Sequence, residues 1–332
     1  MSIRKVVAGL LITAGIAIMA VSFFWCTTGE RNTNQLINEF EQTLEEKQDE
    51  RSEVEKEQTT VSKEEKAILK EGSIIGIIDI DGTLWDEKMQ IPESTIPTIR
   101  QLQKNGHKTF LCSGRSRSNI NDKRLLGIGF DGIVAACGNH VEMDGKVLYE
   151  NILSPELTEK IVRVMEECRM PIVLEGPDCH WIDKENFRTD PYVLYLFEAM
   201  GASAKILKGY SPEIRINKMS GDILPTTDYK RVRKELDADF DCLEHEGHVV
   251  EFVPKGTSKA TGIDWLCRHM GIKNEDTYAI GDSVNDLDML SFVGHGIAMG
   301  NGTPPAKEAA EFVTTDIYDD GIKHAMEHYG LI

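Results

Sequence analysis

The sequence lacks any Cys-x-x-Cys pair. Its seven cysteines (Cys26, Cys112, Cys137, Cys168, Cys179, Cys242 and Cys267) are odd in number and irregularly spaced. That pattern excludes a disulfide framework and a zinc site built on paired thiols, and leaves small buried apolar residues as the reading. Nor is there a basic excess. Lys and Arg total 37 against 55 Asp and Glu, for a formal net charge of -18. Polyanions are drawn to clustered Lys and Arg, so the balance excludes nucleic acid as a partner. Glycine and proline are absent from residues 30–71, which removes the usual turn formers there. Elsewhere the chain is ordinary: 332 residues, 41% hydrophobic, are enough for a full core and two domains, which excludes a disordered or fibrous chain.

Residues 28–72 hold 13 acids and 7 bases, so they account for only part of the negative charge. The rest of the chain is itself acidic. A phosphorylated substrate approaching it needs a local cation, which a divalent metal can supply.

One long apolar run is present. Val6–Trp25 is 20 residues without a charge, preceded by Arg4 and Lys5. At about 1.5 Å per residue it spans a hydrocarbon core of about 30 Å, so residues 1–27 read as a single-pass transmembrane anchor in the lipid bilayer. A cleaved signal peptide fits less well: the run is long for such a segment, and cleavage after Ala20-Val21-Ser22 would leave Phe23-Phe24-Trp25 at the new terminus. Residues 28–72, with Leu36, Ile37, Phe40 and Leu44 at helical spacing, read as a charged helical stalk that passes into a linker.

From residue 73 the pattern changes. Short apolar runs (74–78, 108–111, 133–135) alternate with amphipathic segments such as 94–105, and a second such series occupies 259–310. Buried strand, helix, buried strand predicts a doubly wound parallel sheet, an α/β core built from 73–153 and 251–332. Between the halves lies a block, 154–250, with helical patterns at 156–169, 191–200 and 228–236 and strand-like runs at 172–174, 213–218 and 248–252. It reads as an inserted α+β domain.

The chemistry sits at strand ends, where open α/β sheets bind ligands. The first run ends in Asp79-Ile80-Asp81-Gly82-Thr83; the second ends in Ser113-Gly114-Arg115. A later one ends in Gly281-Asp282-Ser283-Val284-Asn285-Asp286, and Lys259 opens a helix. Hard carboxylate oxygens suit Mg²⁺, which prefers a few carboxylates plus water and a substrate phosphate. A carboxylate can also attack phosphorus when a metal and a lysine neutralise the phosphoryl oxygens.

These segments, in order and spacing, resemble the four motifs of the haloacid dehalogenase superfamily of phosphohydrolases. The long insert, with FDGIVAACGNHVEMDGKVLYE at 130–150 and VEFVPKGTSKATGI at 250–263, resembles the Cof-like branch with its large cap. The resemblance covers about 73–332. It implies Asp79 as nucleophile and metal ligand, and Asp81 as general acid/base that also lends its backbone carbonyl to the metal. It further implies Ser113, Gly114, Lys259 and Asn285 around the phosphoryl group, Asp282 on Mg²⁺, and Asp286 supporting the ion. Thr83 is expected to fix the loop. Gly138-Asn139 departs from the Asn-Gly of many relatives. The implied reaction is Mg²⁺-dependent hydrolysis of a small phosphomonoester, a sugar phosphate or phosphorylated cofactor.

Two rivals are weighed. A phosphoglucomutase-like phosphotransferase would carry its cap between the first two motifs, where only about 30 residues separate Asp79 from Ser113. A tethered module on a retired fold would be expected to lack a carboxylate or the lysine, and none is missing. Glu175, His180 and Trp181 are expected to be packing or surface residues, and Arg115 and Arg117 solvated helix-surface charges. Arg4 and Lys5 against Arg31 point to an enzyme outside the cell. Unpaired cysteines and the metabolites typical of the family point inside, and the cytoplasmic face of the cell membrane is the expectation.

Overall fold

Ile75-Gly76-Ile77-Ile78 contains no polar side chain, so as a strand it can be covered on both faces. It is, in the computed structural model, which describes residues 74–245 and 248–332. The anchor and stalk expected at 1–27 and 28–72 lie outside those residues. Among the described residues no helix is long and apolar enough to cross a membrane.

In chain order the strands are β1 (Ile75–Ile78), β2 (Lys108–Cys112), β3 (Gly132–Ala135), β4 (His140–Met143) and β5 (Lys146–Glu150). Then come β6 (Ile172–Glu175), β7 (His180–Ile182), β8 (Ala204–Ile206), β9 (Lys218–Asp222), β10 (Phe240–Glu244) and β11 (Val249–Pro254). The last are β12 (Thr277–Gly281), β13 (His295–Ala298) and β14 (Phe312–Val313). The first sheet runs β14-β13-β12-β1-β2-β3-β4-β5. It is parallel from β14 to β3, with β4 and β5 added antiparallel.

Alternation along β1 sends Ile75 and Ile77 to one face, against Ile263, Leu266 and Leu290, and Ile78 to the other, against Ile99, Leu102 and Met326. Each fully buried Ile or Leu in these layers contributes about 1.5–3 kcal/mol. The helices Thr95–Lys104 and Gly321–His328 thus cover one face, and Lys259–Met270 and Leu287–Phe292 the other. This is the doubly wound α/β fold expected from the sequence. Register carries it to function: Ile78 pairs with both Leu111 and Ile280, so the residues after β1, β2 and β12 meet at one edge.

The second sheet runs β10-β11-β9-β6-β7-β8. Ile172, Leu174, Met219, Val250 and Phe252 turn one of its faces into an apolar core with the helices Pro155–Glu167 and Tyr229–Leu236. The alternate positions, Glu175, Lys218, Ser220 and Glu251, therefore share the opposite face. Two details differ from expectation. The sheet extends to Pro254, past the boundary drawn at 250, because β11 pairs with β9 as far as Phe252 and with β10 as far as Pro254. The strand-like run 213–218 is irregular backbone up to its last residue. Ile214 and Ile216 are buried at alternate positions, but the chain there bonds Leu153 and Glu175 singly, and the ladder begins only at Lys218.

Candidate active site

β1 ends in Asp79, whose backbone N–H donates to the Ile280 carbonyl of β12 at 3.0 Å. This holds its side chain beside the loop after β12. Lys259 enters from the first residue of its helix, whose start is fixed by a reciprocal cap between Ser258 and Thr261. The turn after β3 lies directly on that start: a Cβ on Gly138 would stand 2.1 Å from the Ser258 carbonyl oxygen, and φ there is +84°. Next to it, fully buried Asn139 donates to the Ala136 carbonyl (2.8 Å) and to Thr257 Oγ1 (3.0 Å). The Gly138-Asn139 order thus serves the helix that carries Lys259.

Lys259 Nζ donates at 2.6 Å to Asp79 Oδ1 and at 2.6 Å to Asp286 Oδ1, with all three side chains buried. Asp286 Oδ2 accepts from the backbone N–H groups of Asp282 (3.0 Å) and Ser283 (3.1 Å). Thr83 Oγ1 donates to Asp282 Oδ1 at 2.9 Å, so Thr83 holds a carboxylate as well as its loop. Gly82, with φ +80°, has no Cβ for a reason: one would stand 2.4 Å from Asp282 Oδ2. Asp79, Asp282 and Asp286 each offer a carboxylate oxygen within 4.8 Å of the others. Burial first, and then the Asp286 charge, push the Asp79 carboxyl well up against the pull of Lys259. The same two causes raise Asp282 to about 6. Three carboxylates against one ammonium leave a formal surplus of two negative charges in a buried place. Hard oxygen donors with that surplus fit a divalent cation.

Asp81 stands apart from this cluster. Its carboxylate is half-exposed and accepts from Arg115 Nε (2.8 Å) and Nη2 (2.7 Å) and from Trp85 Nε1 (2.9 Å). Arg115 is therefore a partner of the site and not a solvated helix-surface charge. Arg117 is bound elsewhere, to Glu142 and the Ile120 carbonyl. Ser113 is buried, and its Oγ accepts from the Arg115 backbone N–H at 3.2 Å. Asn285 Oδ1 accepts from Ser283 Oγ at 2.6 Å.

Asp79, Asp81, Ser113, Gly114 and Asn285 all border a cavity of about 160 Å³ whose other wall is formed by Glu175, His180, Lys218 and Glu251 of the second sheet and by Tyr192 of the helix Pro191–Met200. Lys259 lies beneath it. Glu175 and His180 thus line the cavity, against the expectation of packing or surface residues. Trp181 does not; it is buried elsewhere, with Lys205 Nζ over its ring. Lys218 and Glu251 line it too, and neither is among the site residues expected from the sequence. Lys218 is fully buried, its Nζ bonded to Glu251 Oε1 (2.8 Å) and, across the gap between the domains, to the Gly114 carbonyl (3.0 Å). Burial alone would raise the Glu251 carboxyl, but Lys218 and His245 outweigh it and hold it down at about 2. The available signal for Glu251 was a charge between apolar neighbours, in Val250-Glu251-Phe252; Lys218, in Asn217-Lys218-Met219-Ser220, had none.

A family model described as haloacid dehalogenase-like hydrolase matches residues 77–326. A Bacillus subtilis (strain 168) protein named "Putative phosphatase YkrA" is 33% identical over 259 residues, covering 76% of this chain and 96% of that protein. The 5-amino-6-(5-phospho-D-ribitylamino)uracil phosphatase YitU of the same strain is 27% identical over 271 residues, covering 76% and 96%. Among solved structures, a sugar phosphatase of HAD subclass IIB superposes with a TM-score of 0.61 at 26% identity, over 78% of this chain and 100% of that one. With the motif residues gathered at one sheet edge, the chain belongs to the haloacid dehalogenase-like hydrolases, in their Cof-like branch, and is an enzyme of the phosphatase type.

Proposed function

We propose that the protein is a Mg²⁺-dependent phosphatase that cleaves a small phosphomonoester, such as a sugar phosphate or phosphorylated cofactor, through a covalent phosphoenzyme at Asp79. The observation that carries this reading is the grip of Lys259 on both Asp79 and Asp286. It neutralises one oxygen of the nucleophile, while Asp79 Oδ2 receives no hydrogen bond and borders the cavity. The relatives named as a ribitylaminouracil phosphatase and a sugar phosphatase support the substrate class.

Asp79, Asp282 and Asp286 would hold the ion with the Asp81 backbone carbonyl. Bound there, Mg²⁺ neutralises charge on the phosphoryl oxygens. The protein's own groups do the rest. Ser113 Oγ accepts from the Arg115 backbone N–H with one of its lone pairs and keeps its proton to donate to a phosphoryl oxygen; Gly114 and Asn285 stand beside it. Asp79 Oδ2 forms the new P–O bond as the bond to the leaving oxygen breaks. Asp81, held at the cavity by Arg115 and Trp85, gives that oxygen its proton and later takes one from the water that releases phosphate.

The test is acid-quenched mass spectrometry with p-nitrophenyl phosphate. Asp79→Asn should abolish turnover and labelling. Asp81→Asn should keep phosphate on the peptide containing Asp79, because p-nitrophenolate leaves without acid help while hydrolysis stalls. A label on Ser113, or turnover surviving in Asp79→Asn or in excess EDTA, defeats the reading.

The run Val6–Trp25 supports, from sequence alone, a single-pass attachment to the cell membrane, and the unpaired cysteines support the cytoplasmic side for the enzyme.

A further inference from the structure

The wall that the second sheet contributes to the cavity carries charges that phosphoryl transfer does not use. Glu175 is 5% exposed, and one of its oxygens is fixed by a relay: Tyr192 donates to Ser220 Oγ at 2.7 Å, and Ser220 donates to Glu175 Oε1 at 2.7 Å. Glu175 Oε2 receives no hydrogen bond. The ammonium beside it, Lys218 Nζ, is 3.7 Å away and directs two of its three N–H groups to Glu251 and the Gly114 carbonyl. Across the cavity, Arg115 is committed to Asp81. The leaving-group space therefore meets two carboxylates against one ammonium, both nearby cations are already paired, and one carboxylate oxygen of a cavity-lining residue receives no hydrogen bond from the protein. It is free to accept one from whatever occupies the cavity.

We propose that Glu175 selects the leaving group: its Oε2 accepts a hydrogen bond from a substrate hydroxyl, and its charge shuts out a leaving group that carries a second phosphate. The inference rests on the phosphatase reading and narrows it. The substrate becomes a small, hydroxylated monophosphate whose leaving group is uncharged. A carboxylate acceptor suits this task because a hydrogen bond to a charged group is about twice as strong as a neutral one, whereas a bisphosphate would bring negative charge against Glu175 and Glu251 with no free cation to receive it.

The test uses the full chain and three substrates: p-nitrophenyl phosphate, which has no hydroxyl donor, fructose 6-phosphate, and fructose 1,6-bisphosphate. The wild type should prefer the monophosphate over the bisphosphate by about tenfold or more in kcat/KM. Glu175→Gln should lower kcat/KM for fructose 6-phosphate by about 10- to 100-fold, the worth of a hydrogen bond to a charged acceptor. It should cost p-nitrophenyl phosphate at least about fivefold less than fructose 6-phosphate and narrow the preference against the bisphosphate. Glu175→Asp, which keeps the charge but draws it back by one methylene, should lose the hydroxylated substrate and still reject the bisphosphate. Equal losses on p-nitrophenyl phosphate and fructose 6-phosphate, or a wild type that takes the bisphosphate as readily as the monophosphate, overturn the proposal. If Glu175→Gln does not fold, Glu175→Asp and the wild-type ratio decide. Failure of the wild type on p-nitrophenyl phosphate would instead strike the phosphatase reading itself.

Discussion

Replacing Lys259 by Met removes the ammonium and keeps most of the volume, which isolates the electrostatic role of that side chain. It leaves Asp79 and Asp286, each now bonded at 2.6 Å, without their shared cation where both side chains are almost wholly withdrawn from solvent. Removing one partner of a buried pair costs about 3–5 kcal/mol, because the remaining charge stays desolvated. For a domain of this size that corresponds to a fall in Tm of roughly 6–20 °C. The loss should depend on pH in a definite direction. The Asp79 carboxyl is raised by burial and by Asp286 even with Lys259 present, so without it the shift can only grow. A group whose folded pKa is raised contributes stability below its unfolded pKa and loses it as pH rises through the folded value. Lys259 is itself held well up, by Asp286 and Asp79 against the opposing effect of burial, and stays charged throughout. Urea unfolding of both proteins in EDTA between pH 8 and pH 5.5 should therefore show a deficit that shrinks as the solution is acidified. Adding Asp286→Asn to the variant should recover at least about 1 kcal/mol, since one of two facing charges is gone. A deficit under about 1 kcal/mol, or one that does not change across that pH range, would refute the claim that charged carboxylates face each other across Lys259.

Two further outcomes follow. Glu251, held at about 2 against an ordinary 4.5, is a depressed acid whose contribution is present above pH 4.5 and lost as pH falls toward 2. It is worth about 3 kcal/mol, so Glu251→Gln should lower stability at pH 6 and flatten the loss between pH 4.5 and 2.5 in urea titrations; parallel acid curves would show that Lys218 does not depend on it. For the amino-terminal run, the full chain should remain with membranes after carbonate extraction, and recovery in the soluble fraction would sink the anchor.

The core of the fold was legible because its signals are local and redundant. A buried strand such as Ile75–Ile78 is a short apolar run that ends in polar residues, and some of the helices are marked by a cap. Ser258, for example, caps the helix that begins with Lys259. The site residues inherit this legibility. Asp79, Ser113 and Asp282 stand immediately after strands, and parallel register alone brings strand ends together. What the sequence could not show was the pairing of side chains once they meet. Arg115 lies 34 positions from Asp81, and nothing in either neighbourhood announces that the guanidinium turns inward rather than to solvent.

The inserted domain was harder to read for a physical reason. A strand with one apolar and one polar face has the same alternation whether the polar face meets water or a second domain. In β6 and β11 the apolar positions Leu174 and Phe252 report the cap core correctly. Glu175 and Glu251, their neighbours in sequence, then look like ordinary surface acids. They are not, because the face they share is laid against the motif loops, and Lys218 crosses to the Gly114 carbonyl. Burying that face changes what each charge must do: an exposed acid needs no partner, whereas a buried one requires a cation or a donor. Lys218 satisfies Glu251, and Ser220 satisfies half of Glu175. Its remaining oxygen receives no hydrogen bond from the protein and lies 3.7 Å from the Lys218 ammonium, so on this cavity-lining residue it is free to accept from what binds there.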